Sequence, residues 1–139
     1  MMLYIKQDSK GTHLIYENYT THTEKPAITV IKLLCQAVLV TYDARIQTTK
    51  KRFNIHTLTP LYIHSKLLLI PTGSPRAYET LWINYHLITS IQPFGKHTIV
   101  LFNNLKELEI PISYSRFKEK LKYCKIIYDY MEETETQII

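Results

Sequence analysis

Apolar and polar residues alternate in short bursts at the start of the chain and in longer ones toward its end. Leu3 to Ile5 and His13 to Tyr16, separated by Asp8-Ser9-Lys10-Gly11, predict two brief strands around a glycine-containing loop. Thr20 to Pro26 is polar and ends in proline, which predicts a connector. In Ala27 to Val40, the residues Ile28, Ile31, Leu34, Cys35 and Val38 form a helical stripe, although the β-branched content also describes a buried strand. The stripe favours helix for the first part of that stretch. Asp43 suits the N-terminus of a second helix running through Phe53. From Pro60 the pattern is that of a sheet. Leu61 to His64 and Leu67 to Ile70 are short strands, and Pro71-Thr72-Gly73-Ser74-Pro75 ends the second. Trp82 to Ile91 reads as one longer strand with Ile83, Tyr85 and Leu87 on a common face, followed by a turn at Pro93-Phe94-Gly95-Lys96. Thr98 to Phe102 and Glu107 to Ile112 predict a hairpin around Asn103-Asn104-Leu105-Lys106. Leu108, Ile110 and Ile112 point one way and Glu107 and Glu109 the other, which predicts a sheet with one wet face. The last element is an amphipathic helix, with Ser115 as N-cap and Phe117, Leu121, Cys124, Tyr128 and Met131 as its apolar stripe. Residues 131–139 read as a frayed acidic tail. The expected fold is α+β: a single domain over residues 1–139 with a mostly antiparallel sheet and a C-terminal amphipathic helix.

Size and composition support that expectation. A chain of 139 residues, 45% of them hydrophobic and 21% charged, can bury a core without a disulfide or metal staple. Eleven tyrosines against three glycines favour strands over long helices. Cys35 and Cys124 are widely spaced and have no C-x-x-C companion, so they read as buried thiols in a reducing cytoplasm. Met1-Met2-Leu3-Tyr4-Ile5 gives way at once to Lys6, Gln7 and Asp8, without the apolar region of an export signal. The most apolar run, Ala27 to Tyr42, is interrupted by Lys32 and Gln36 and falls short of a membrane span. The expectation is a soluble cytoplasmic protein with no membrane partner.

Charge changes the picture. Between Ala44 and Lys106, eight lysines and arginines face the single acid Glu79, so this window carries +7 while the whole chain carries +5. Arg45, Lys50, Lys51, Arg52, Lys66 and Arg76 are its candidate contacts to a polyanion such as the DNA backbone. On a helix, Arg45, Thr49 and Arg52 fall on one face, with Lys50 and Lys51 beside it. A solvated surface helix is the plain alternative, but such helices normally interleave both signs. Lys118, Lys122 and Lys125 on the last helix are what any amphipathic surface helix shows. Trp82 has two readings: core packing, its default role, or an aromatic that stacks or wedges at a nucleic-acid surface.

Catalytic chemistry is not visible. G-x-x-x-x-G-K-[ST], G-x-G-x-x-G and H-E-x-x-H are all absent, and the three glycines are not clustered. Cys35 lies in an apolar run without a base beside it. His86 has no second ligand at metal spacing. The chain is expected to be no enzyme and to need no cofactor and no metal.

Four short stretches, in order, carry a family resemblance. Leu108-Glu109-Ile110-Pro111-Ile112-Ser113-Tyr114 followed by Phe117 is close to an L-P-I-S-Y-x-x-F stretch; Ile70-Pro71-Thr72 resembles an F-P-T, with Trp82-Ile83 downstream. Cys35, Tyr42 and Arg45 sit at the spacing of a Cys…Tyr-x-G-Arg segment, and Pro60-Leu61 resembles a Pro-Ile. Over roughly residues 27 to 131 the chain resembles the ComK-type competence transcription factors of low-GC Gram-positive bacteria. It departs from them at Ala44, where glycine is usual, and at Thr80, where cysteine is often found. The resemblance implies an activator of competence genes that binds paired A/T-rich boxes of double-stranded DNA, largely from the minor groove, as a dimer that associates further. It also implies, as a second partner, a proteolytic adaptor that reads a C-terminal tail, and the short stretch after Met131 speaks against that route.

Two other readings stand beside this one. Trp82-Ile83-Asn84-Tyr85 to Lys122 also resembles the end of LytTR DNA-binding domains, which contact the major groove from loops. The other reading is an interaction module of different class, whose basic face docks an acidic partner or a longer relative.

Overall fold

The computed structural model describes the backbone of residues 1–138 and the side chains through Glu133. Strands β1 (Met2–Asp8) and β2 (Gly11–Tyr16) form the first hairpin. Gly11 closes it at φ 122, and a Cβ there would lie 2.1 Å from the Thr23 carbonyl oxygen, so only glycine fits. The stretch expected to be a connector continues the sheet as β3 (Thr20–Thr23), pairing with β2. Its Thr-Thr-His-Thr sequence lacks an apolar face because this edge strand is largely exposed.

Helix α1 (Ala27–Ala37) starts directly after Pro26 and buries Ala27, Val30, Ile31 and Cys35. The helical periodicity prevails over β-propensity because that stripe is covered by the sheet. The helix is closed by Leu39 in the left-handed conformation (φ 64), with the Val40 amide bonded to the Cys35 carbonyl. Helix α2 (Tyr42–Phe53) begins two residues earlier than a cap at Asp43 would give. Thr41 is the cap, its hydroxyl accepting from the Ala44 amide, while Asp43 sits in the first turn beside the positive end of the dipole. Asn54 ends it, again left-handed.

Strands β4 (Leu61–His64) and β5 (Leu67–Pro71) pair as expected. The single strand expected from Trp82 to Ile91 is instead broken. Strand β6 (Trp82–Asn84) joins the large sheet, Tyr85–Leu87 forms one 3-10 turn, and β7 (Ile88–Phe94) enters a second sheet. Asn84 is the cause. Its buried side chain accepts from the Leu68 and His86 amides and donates to the Met2 and Lys66 carbonyls, capping the turn and fastening three segments. Strands β8 (His97–Phe102) and β9 (Glu107–Ile110) complete the small sheet. Helix α3 (Tyr114–Ile138) is capped by Ser113 rather than Ser115. The Ser113 hydroxyl accepts from the Arg116 amide and its carbonyl from Phe117. The helix runs on through most of the stretch expected to fray; of the acidic tail, residue 139 and the side chains from 134 onward lie outside the described residues.

The large sheet has the order β3-β2-β1-β6-β5-β4 and the small one β7-β8-β9, every pairing antiparallel. Both faces of strands β4, β5 and β6 are covered, whereas the small sheet has the wet face expected from the sequence, where Glu107 and Glu109 are exposed. In β5 the side chains alternate: Leu67 and Leu69 pack with Ile31, Ile46 and Trp82 on the side of α1 and α2. Leu68 and Ile70 pack with Val100, Phe102, Ile110 and Phe117 on the side of the small sheet and α3. A bulge at Leu3 lets Leu3 and Tyr4 face that second side while Met2 and Ile5 face the first. The result is α+β in three layers. Each fully buried leucine or phenylalanine stabilises it by about 1.5–3 kcal/mol.

Candidate nucleic-acid interface

Helix geometry divides the basic run of α2. The Arg45–Thr49–Arg52 face is turned toward α3. Thr49 is buried and donates to the Arg45 carbonyl at 2.7 Å, and Arg45 is half-buried, its guanidinium 5.6 Å over the Tyr62 ring and 3.8 Å from the Met131 sulfur. Arg52 is exposed and lies 5.3 Å over the Tyr130 ring. These residues, with Val40, Phe53 and Ile127, line an apolar groove of about 410 Å³ between α2 and α3. Lys51 is exposed, and Lys50 turns away toward a different groove.

That second groove, of about 500 Å³, lies between the end of α2, the α2–β4 loop, the β5–β6 loop and the first turn of α3. Lys50, His56 and Arg116 line it, and no acidic side chain among the described residues does. Burial pushes the Tyr42 hydroxyl in the groove wall up, Asp43 and Cys35 push the same way, and Arg76 on the β5–β6 loop opposes them more weakly. The α2–β4 loop is held rigidly. Arg116 donates to the Thr57 hydroxyl at 3.3 Å, and Lys120 donates to the Thr57 carbonyl at 2.6 Å. Lys120 is only 3% exposed, and burial pushes its ammonium below the usual lysine range. On the other wall the Thr80 hydroxyl, at a position where the resembling family often has cysteine, donates to the Ser74 carbonyl at 2.6 Å and fixes the β5–β6 loop. Thr59 lines the groove, and its buried hydroxyl has no hydrogen-bond partner.

The remaining candidates fall elsewhere. Lys66 is exposed on the β4–β5 turn, and the length of β5, about 17 Å of rise, separates it from the loop that carries Arg76. Trp82 is 1% exposed, packed with Ile5, Ile31 and Leu69. This corrects the surface reading: a side chain enclosed by the sheet and α1 cannot stack on a base. Arg116 was not among the candidates read from the sequence. Arg116 belongs to the last helix, whose cations read as an ordinary solvated face, and only the pairing of its first turn with the α2–β4 loop brings it here.

No group of three or more metal-ligating side chains occurs among the described residues. Cys35 and Cys124 are both buried and free, and burial pushes both thiols up, away from the nucleophilic thiolate. No single helix among the described residues is long and apolar enough to cross a membrane. What the arrangement offers is a groove lined by Lys50, His56 and Arg116 without an acid among its described lining residues, suited to holding an anion.

No curated protein and no solved structure matches the chain. The family model described as ComK protein matches residues 1–136. That match extends the resemblance seen over residues 27 to 131 to almost the whole chain, and it agrees with a competence-related transcription factor rather than an enzyme. The chain belongs to the ComK family.

Proposed function

We propose that this protein is a DNA-binding activator of competence genes that recognises A/T-rich promoter boxes, acting as a dimer or higher oligomer at the nucleoid. The observation that carries the reading is the family match over residues 1–136, on a chain that between Ala44 and Lys106 sets eight lysines and arginines against the single acid Glu79. The contacts are assigned to Lys50, Lys51 and Arg52 of α2 and to Arg76, with Arg116 and His56 beside Lys50. Arg45 and Lys66 are assigned flanking roles, Arg45 because it is half-buried against α3 and Lys66 because it stands at the other end of the sheet. A narrow A/T-rich minor groove concentrates negative potential and draws in arginine and lysine side chains. Phosphate neutralisation supplies the rest of the affinity.

The test is a salt titration of duplex binding by the full chain and by a variant with Lys50, Lys51 and Arg52 all changed to Ala. The variant should bind more weakly on every sequence, and its log–log salt slope should fall by about 0.9 for each phosphate that is no longer neutralised. An unchanged affinity and slope removes α2 from the interface. Loss of DNA binding by the unmodified chain, together with complex formation with a longer relative, would replace this reading by that of an interaction module.

A further inference from the structure

We propose that the groove between α2, the β5–β6 loop and the first turn of α3 is a specific phosphate-binding site, with Lys50, His56, Arg116 and the Thr59 hydroxyl as its ligands. Three independent features converge on it. Lysine, histidine and arginine from two different helices and a loop line it without any acid among the described residues. Arg116 stands in the first turn of α3, which contains no acidic residue, so the positive end of the helix dipole and the guanidinium add rather than cancel. The Thr59 side chain is 5% exposed, and its hydroxyl is a buried polar group left without a partner. Such groups are rare in folded proteins unless a ligand or water completes them.

The walls are built for a ligand and not merely charged. Thr57 is clamped through its carbonyl by Lys120 and through its hydroxyl by Arg116, and the opposite loop is pinned by the Thr80–Ser74 bond. Leu58, between Thr57 and Thr59, adopts a left-handed backbone (φ 50) that a β-carbon disfavours, so the surrounding bonds hold the loop in this shape. At about 500 Å³ the groove is larger than a bare phosphate requires, and Tyr42, Pro71 and Pro75 supply surface for an attached sugar or base. The ligand class is therefore a phosphate ester, either a phosphodiester of the DNA backbone or a soluble phosphorylated small molecule. The first source rests on the DNA-binding reading given above; the second does not.

The experiment uses the full chain with two probes, inorganic phosphate and adenosine 5′-monophosphate, followed by calorimetry and by phosphorus NMR against chloride at matched ionic strength. Both probes should bind saturably. Arg116→Gln and Lys50→Gln should each weaken them at least tenfold, and Thr59→Val at least threefold with an unchanged or raised melting temperature. The valine variant matters because it keeps the shape of the side chain, so a drop in affinity in a normally folded protein reports the hydroxyl alone. Binding no stronger than chloride, or equal affinity in all variants, overturns the site. A duplex-binding arm separates the sources. If the three variants also weaken duplex binding and the nucleotide competes with the duplex, the phosphate is that of DNA. If duplex binding is untouched, the groove serves a soluble phosphate ester. Phosphate binding by a chain that binds no duplex at all would uphold the groove and remove the DNA reading.

Discussion

Lys120 shows how one residue sets the shape of the proposed interface. Its ammonium is buried against the Thr57 carbonyl, 2.6 Å away, and holds the loop that carries His56 and Thr59. Replacing Lys120 with Met keeps most of its apolar stem but leaves that carbonyl without its donor. The expected loss is about 1–3 kcal/mol, read from urea unfolding, with a parallel loss of phosphate affinity. His86 gives a second prediction at this scale. Burial, and secondarily the nearby His64, lower its affinity for a proton, and it is packed edge-on against the Tyr85 and Tyr128 rings. The unfolded chain therefore takes up the proton first. Stability should fall as pH drops below about 6.5 and level off once the folded state protonates too. Thermal melts between pH 7.5 and 5 should show this, and His86→Gln should flatten the curve. An identical pH profile in the variant would assign the effect to other groups. Residue roles of this kind were only partly legible in the sequence. Trp82 had two readings, and only its enclosure beneath α1 decides between them. Arg116 was hidden because its partner Thr57 is distant in the chain.

At the scale of elements, what local pattern determines was legible. The β4–β5 and β8–β9 hairpins and α3 each carry their own periodicity, and all three exist as expected, although β9 ends at Ile110 and α3 starts earlier and runs further than the sequence suggested. The β6–β7 break was not legible, because Ile83, Tyr85 and Leu87 alternate with Asn84 and His86 as they would along one continuous strand. What splits it is Asn84, through bonds to residues as far away as Met2 and Leu68. Strand β3 was missed for the opposite reason: as an exposed edge it needs no apolar face. Helix α2 was expected with its basic residues grouped, and its rotation against the sheet distributes them instead. Arg45 and Arg52 turn toward α3, Lys50 toward the polar groove, and Lys51 to solvent. The triple replacement of Lys50, Lys51 and Arg52 is thus a test of the helix, while the single Lys50→Gln tests the groove. If α2 docks on DNA as a unit, the triple variant should lose more affinity than Lys50→Gln and show the larger drop in salt slope.

For the whole molecule, the sequence disclosed a charge asymmetry, and the fold spreads the candidate cations: Lys50 lies in the polar groove, while Lys66 stands on the β4–β5 turn, across the length of β5 from the loop that carries Arg76. The fold class was readable because strands and helices had distinct periods, but the three-layer arrangement was not. The unbroken apolar run of β5 is what a strand covered on both faces shows, but nothing in a one-dimensional pattern says which elements cover each face. The central claim is that this ComK-family chain binds DNA with a preference for A/T-rich boxes. Fluorescence anisotropy on two labelled duplexes of equal length tests it most directly, one carrying two A/T boxes a helical turn apart and the other G/C-rich, each at several salt concentrations. Tighter binding to the A/T duplex, with a steep salt slope on both, is the predicted result. Equal weak binding to the two, or none to either, would contradict it.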